Sequence, residues 1–178
     1  VLEDGTEFPG FRFGAEKSLS GELVFHTAHT GYPEILTDPS YRKQILVFSA
    51  AHIGNQGVHP DDFESSGVWA SGCILRNYQE AGQHWRKKKS LDQYLREQNI
   101  PGLYGVDTRR LVLKIRQEGS LWGVISTDGR SLQSLRGEFE KARTMKGLSL
   151  VHEVSSKKSS QWLFRSSPLV KNHLSSKP

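Results

Sequence analysis

Gln44-Ile45-Leu46-Val47-Phe48-Ser49 is the segment on which the fold turns. It is nearly all apolar, and a short apolar run of this length reads as a strand buried on both faces. Upstream, Glu22-Leu23-Val24-Phe25-His26-Thr27 reads as a short strand that enters a turn at Gly31. Between the two lies Gly31-Tyr32-Pro33-Glu34-Ile35-Leu36-Thr37-Asp38-Pro39-Ser40-Tyr41, read as a connection because it holds a glycine and two prolines. Downstream, Val68 to Leu75 and Leu121 to Ser126 read as further strands. At the start of the chain, Val1 to Thr6 reads as a hairpin. Asp4-Gly5 suits a type I′ turn, and Phe11 and Phe13 lie on the expected return strand.

Helices enter in the second half. Ser90 and Gln93 have the spacing of a capping box, and Leu91, Tyr94 and Leu95 share one helical face. Asn99 and Pro101 should end that helix. Asp107 or Thr108 should cap the next, with Leu111, Val112 and Ile115 inward and Gly119 as a left-handed stop. A third is expected from about Ser131, with Leu132, Leu135, Phe139 and Ala142 on one face and Gly147 after it. Strands first, then alternating helices and strands, predict a layered α/β domain with mixed and antiparallel strands, not a purely parallel doubly wound sheet. From about Ser155 the chain becomes rich in serine and lysine, as in a linker. The expected division is a domain over 1–152 and a linker or exit arm over 153–178.

The 178 residues, 35% hydrophobic and 24% charged, suit one domain or a domain plus a tail. A chain this long should bury roughly 70% of its unfolded surface. No apolar run approaches the ~20 residues of a membrane span, and mean hydropathy is -0.54. Cys73 is the single cysteine, which excludes a disulfide framework and multi-cysteine zinc sites. No leader pattern is visible either, so the expected setting is cytoplasmic, without a membrane. Residues 1–80 carry eleven acidic and five basic side chains, whereas 81–178 carry eight acidic and nineteen basic. Such a dipole suits nucleic acid, an acidic partner or an anionic substrate, or is simply a set of solvated helix faces.

The common catalytic signatures are missing. There is no Walker loop, no G-x-G-x-x-G and no G-x-S-x-G elbow. Ser40, His52 and Asp38 lack a nucleophile turn and make a poor triad. His26 and His29 are three apart in a strand-like stretch, so they point to opposite sides and do not make a metal site. Cys73 lies in an apolar run, which raises a thiol's pKa and leaves it inert.

The 31–41 connection is the most unusual chemistry. Asp38-Pro39 favours a turn start. A rigid turn holding Ser40 outward would offer one donor and two acceptors to a polar ligand. The same turn could equally do no more than close its own backbone hydrogen bonds. In His52-Ile53-Gly54-Asn55-Gln56-Gly57, glycines flanking Asn55 would let backbone amides approach a partner, or simply tighten a loop. Arg109, opening a helix, could fork onto a carboxylate across an interface or be solvated.

Gly31 to Ile45, continuing into His52-Ile53-Gly54-Asn55, closely resembles the N-terminal domain of the small chain of glutamine-hydrolysing carbamoyl phosphate synthetase. Val1 to Gly5, Gly21 to Phe25, Glu64-Ser65-Ser66-Gly67, the Leu91–Leu95 helix, Ile100 to Arg109 and Arg116 to Gly119 fit that domain in order. The resemblance covers roughly residues 1–155. It implies a β/β/α layered domain followed by a glutamine amidotransferase domain with a Cys-His-Glu constellation. It also implies a large chain, carrying ATP and magnesium, that makes carbamoyl phosphate from the released ammonia and bicarbonate. On the same resemblance, Ser40 matches a serine that lines the glutamine pocket, and the domain docks onto the large chain; from the loop and helix-start readings above, His52, Asn55 and Arg109 are the candidate partner-interface positions. No cofactor, metal or catalytic residue is expected on these 178 residues, because no Cys-x-Gly-x-Cys-Leu-Gly segment occurs and Cys73 lies in the wrong domain. Ala50-Ala51 replaces the usual tyrosine-proline pair. The resemblance therefore predicts a domain that is inactive alone. The alternative is a basic nucleic-acid-binding or protein-interaction module, which has no recognised nucleic-acid motif behind it.

Overall fold

The computed structural model describes residues 1–80, 84–141 and 149–156. Its centre is a six-stranded mixed sheet of β1 (Phe11–Gly14), β2 (Ser18–His26), β3 (Gln44–Phe48), β5 (Gly72–Ile74), β7 (Pro101–Tyr104) and β8 (Leu121–Ser126). The strand order is β1-β7-β5-β3-β2-β8. The four inner strands β7, β5, β3 and β2 are parallel, while β1 and β8 close the two edges antiparallel. A second sheet pairs β4 (His52–Ile53) with β6 (Asn77–Tyr78).

The alternation of β3 shows why the domain is layered. Ile45 and Val47 enter one core, with Leu23, Leu111, Ile115, Leu121 and Ile125. Leu46 and Phe48 enter the other, with Tyr32, Leu36, Ile53, Cys73, Leu91 and Leu95. Both faces of the strand are dry, as its composition requires. Helix α3 (Thr108–Glu118) covers the first face. The small sheet, α1 (Tyr32–Thr37) and α2 (Leu91–Glu97) cover the second. This is the layered mixed α/β domain expected.

The helix signals fall where the side chains can act. Ser90 accepts from the Gln93 amide at 3.1 Å, whereas the Gln93 side chain turns forward to Glu97 instead of completing the capping box. Asn99, at φ +58, forms the left-handed end of α2: its amide bonds to Arg96 and that of Ile100 to Leu95. Asp107 caps α3 through the Arg110 amide. Gly119 has φ +82 but ψ -116, a conformation outside the left-handed helical well and confined to glycine.

Several local expectations are corrected. Residues Tyr32–Thr37 form a helix, because Pro33 lies in its first turn, where no amide is needed. The Leu2 amide bonds to the Thr6 carbonyl and the Gly5 amide to the Leu2 carbonyl, so the N-terminal turn is a three-residue loop with φ +82 at Gly5. Its return strand is not β1, which pairs with β7; Leu2 instead bridges Gly123. The strand expected over Val68 to Leu75 is reduced to β5, because the Trp69 amide is drawn to Leu36. The strand β7 begins at Pro101, where the sequence suggested only a helix stop; proline is tolerated at a strand's first residue. In α4 (Leu132–Lys141), Leu135 is buried against β8 but Leu132 is exposed. Ala142, Gly147 and residues 157–178 of the expected exit arm lie outside the described residues. The described part of that arm includes α5 (Val151–Val154) only in part.

Candidate functional site

The turn that carries Ser40 is built by two prolines. Pro33 starts α1, and Pro39 holds Asp38 extended at ψ 122, which stops it. The Asp38 carboxylate then accepts the Ser40 amide at 2.8 Å, capping a single 3₁₀ turn over Pro39–Tyr41. The Ser40 side chain is exposed, and among the described residues its hydroxyl has no hydrogen-bond partner. The turn's own closure therefore uses the backbone amide and leaves the hydroxyl free.

Thr37, fully buried, ties this turn to the next loop. Its hydroxyl donates to the Pro33 carbonyl at 2.8 Å and accepts the Glu64 amide at 2.9 Å. The Ser65 hydroxyl donates to the Thr37 carbonyl at 2.6 Å and accepts the Trp69 indole N–H at 2.7 Å. Burial raises the Tyr41 phenol, and Asp38 adds to the rise. On the other side of the turn, Arg42 lies over the Trp69 ring at 5.7 Å. Arg42 and Lys43 line a groove of about 640 Å³, together with Lys17, Trp69, Asn99 and Trp122. Trp122 is buried, and its indole N–H has no partner among the described residues.

The other expected positions do not join Ser40. His52 and Asn55 are exposed, and they follow the C-terminal end of β3 whereas Ser40 precedes its N-terminal end. The glycines beside Asn55 serve the chain's own packing. A Cβ on Gly54 would lie 2.7 Å from the Tyr78 ring, and one on Gly57 would lie 2.3 Å from Lys87. Arg109 is exposed in the first turn of α3, on the opposite face of the main sheet. His26 accepts the Ala28 amide at Nδ1 and packs beside Tyr41 and Phe48; His29 is exposed. Cys73 is fully buried, and burial pushes its thiol far up. Among the described residues no group of three or more His, Cys, Asp or Glu could hold a metal, and no helix is long and apolar enough to cross a membrane.

Two features escaped the sequence reading. The Arg42-Lys43 pair directly after Ser40 meets Glu153, 110 or more residues away, which no local pattern signals. Trp85 is 87% exposed beside Arg86, whose guanidinium lies 5.9 Å from its ring and 2.9 Å from Asp62. A tryptophan heading a basic run was the available signal.

A mixed sheet layered between a small sheet and a helix thus carries, on a proline-braced turn, a serine hydroxyl with no hydrogen-bond partner among the described residues. Residues 1–125 match the family model of the carbamoyl-phosphate synthase small chain, CPSase domain. The chain is 49% identical over 165 residues to the carbamoyl phosphate synthase small chain of Aquifex aeolicus, covering 91% of this chain and 44% of that one. It is 45% identical to the Nostoc small chain, at 91% and 42% coverage, and 42% identical to the chloroplastic small chain of Oryza sativa, at 93% and 39%. The chain belongs to the carbamoyl phosphate synthase small chain family. It spans less than half the length of these relatives.

Proposed function

We propose that these residues form the non-catalytic N-terminal domain of the glutaminase subunit of carbamoyl phosphate synthase. In that role the domain docks on the large subunit and lends the Ser40 hydroxyl to the glutamine site of an amidotransferase domain. The reaction, with ATP and magnesium on the large subunit, yields carbamoyl phosphate from glutamine and bicarbonate. Family membership supports the subunit. The observation that carries the Ser40 role is its hydroxyl, exposed and unbonded among the described residues on a turn whose own needs are met by Asp38. A hydroxyl so held offers both a donor and acceptors to an amino acid's polar groups without first breaking an internal bond. This division of labour assigns the domain no chemistry of its own and makes it inactive alone.

Ser40→Ala in a small chain joined to its amidotransferase domain tests the reading. Loss of one hydrogen bond, ~0.5–1.5 kcal/mol, should raise the glutamine KM about two- to tenfold. Activity with ammonia should be unchanged. An unaltered glutamine KM would remove Ser40 from the site. For docking, the domain should co-elute with purified large chain at micromolar concentration, and separate elution would count against it.

A further inference from the structure

Three cations stand around the groove beside the Ser40 turn, and one carboxylate reaches its edge from the far end of the described chain. Glu153, in α5, accepts both Nε and Nη2 of Arg42 on one oxygen, each at 2.8 Å. Its other oxygen lies 3.6 Å from Lys43 Nζ. The same guanidinium lies over the Trp69 ring. Glu153, Arg42 and the Ser66–Trp69 segment together enclose a cleft of about 360 Å³. Lys43 has φ +63, one of two non-glycine residues with positive φ among the described residues. A residue with a side chain holds that conformation only at a cost, so surrounding structure must enforce it. The hydrogen bond from Arg42 holds the Glu153 carboxyl below the usual carboxylate range.

We propose that Glu153 is a positioning residue, whose clasp on Arg42 and Lys43 pins α5 to the Ser40 turn and holds that turn in place for glutamine. Arg42 is two residues from Ser40, so any shift of its backbone moves the hydroxyl. Arg42 is also fixed from the other side by Trp69, whose indole bonds through Ser65 to Thr37 at the end of α1. The turn is therefore gripped from both ends: by the buried Thr37 network before it and by the clasp after it. Isolated exposed ion pairs contribute little, because holding two long side chains costs entropy. Here the guanidinium is already stacked, two N–H groups converge on one oxygen and a lysine meets the other, which is the networked geometry that does contribute.

The role rests on the glutamine reading of Ser40, and the test separates the two. Three variants are made in the full small chain assembled with its large chain: Glu153→Gln, Arg42→Glu, and Arg42→Glu combined with Glu153→Arg. Each is assayed with glutamine and with ammonia, beside Ser40→Ala. Hydrogen exchange at the 153–155 amides, which bond to the Leu150 and Val151 carbonyls, reads the clasp directly. The single variants should speed exchange in α5 and raise the glutamine KM about two- to fivefold, with kcat and ammonia-dependent activity unchanged. The charge-swapped pair should restore much of both. Faster exchange with an unchanged glutamine KM, while Ser40→Ala still raises it, overturns the positioning role and leaves the Ser40 reading intact. Unchanged exchange in Glu153→Gln overturns the clasp itself. If Ser40→Ala has no effect, the glutamine reading fails and the positioning role fails with it, whatever exchange shows.

Discussion

Thr37→Val is the sharpest probe of how the Ser40 turn is held. Thr37 closes α1 with no solvent exposure. Its hydroxyl proton is shared between the Pro33 carbonyl at 2.8 Å and the Glu34 carbonyl at 3.2 Å, and its oxygen accepts the Glu64 amide at 2.9 Å. Valine keeps the volume and removes both functions. One net hydrogen bond is lost, worth ~0.5–1.5 kcal/mol, and the Glu64 N–H is left without its partner, worth a further ~1–3 kcal/mol when fully buried. Because Glu64 is an exposed residue, water recovers part of the second contribution, and the expected loss is about 2 kcal/mol. Thr37→Ser is the control. It keeps every bond and loses one methyl, about 1 kcal/mol including the small void. Urea unfolding followed by tryptophan fluorescence measures both. With a slope of about 2 kcal/mol/M, the valine variant should unfold at about 1 M lower urea without a change in slope. A valine variant within about 0.5 kcal/mol of the parent, or a serine variant less stable than valine, would refute the reasoning.

Three further outcomes are expected. In Gly102→Ala the new Cβ would lie 2.4 Å from the Phe13 ring across the β1–β7 pair, so the ring must move. The variant should lose ~1–3 kcal/mol in the same urea assay. Cys73 should be silent to a thiol-specific chromogenic reagent in the native protein and should release one equivalent in denaturant, because the thiol is fully buried and its ionisation suppressed. Asp4 has its pKa lowered from 3.8 to about 2, chiefly by the hydrogen bond with Lys114. The unfolded chain therefore binds more protons between those values, so the pair's contribution is present above about pH 4 and is lost as pH falls towards 2. Its side chain is 39% exposed, and screening keeps the contribution below about 1 kcal/mol. Asp4→Asn should flatten that part of the stability-pH curve, measured by thermal melts. An unchanged slope would show that the pair adds nothing.

Ser40 was legible as a residue of interest because proline, aspartate and serine constrain one another locally. Asp38 capping the turn and the extended residue before Pro39 depend on near neighbours alone. What the local pattern could not show is whether the hydroxyl would be spent inside the turn, since that depends on where the rest of the chain passes. The spatial separation of Ser40 from His52, Asn55 and Arg109 has the same origin. Order along a sequence does not say which end of a strand, or which face of a sheet, a loop will occupy.

The same division runs through the whole domain. Residue types and their spacing determined the two-faced burial of Gln44–Phe48, the cap at Ser90, the start of α3 at Asp107 or Thr108 and its stop at Gly119, because each is settled within a few residues by sterics and hydrogen bonds. The amino-acid order also carried the family likeness. Strand order, the antiparallel edges, the pairing of β1 with β7 and the meeting of Arg42 with Glu153 belong to the assembled fold alone. These join residues far apart in the chain, and their formation depends on the loop entropy of bringing them together and on the apolar surface that only the complete core can cover.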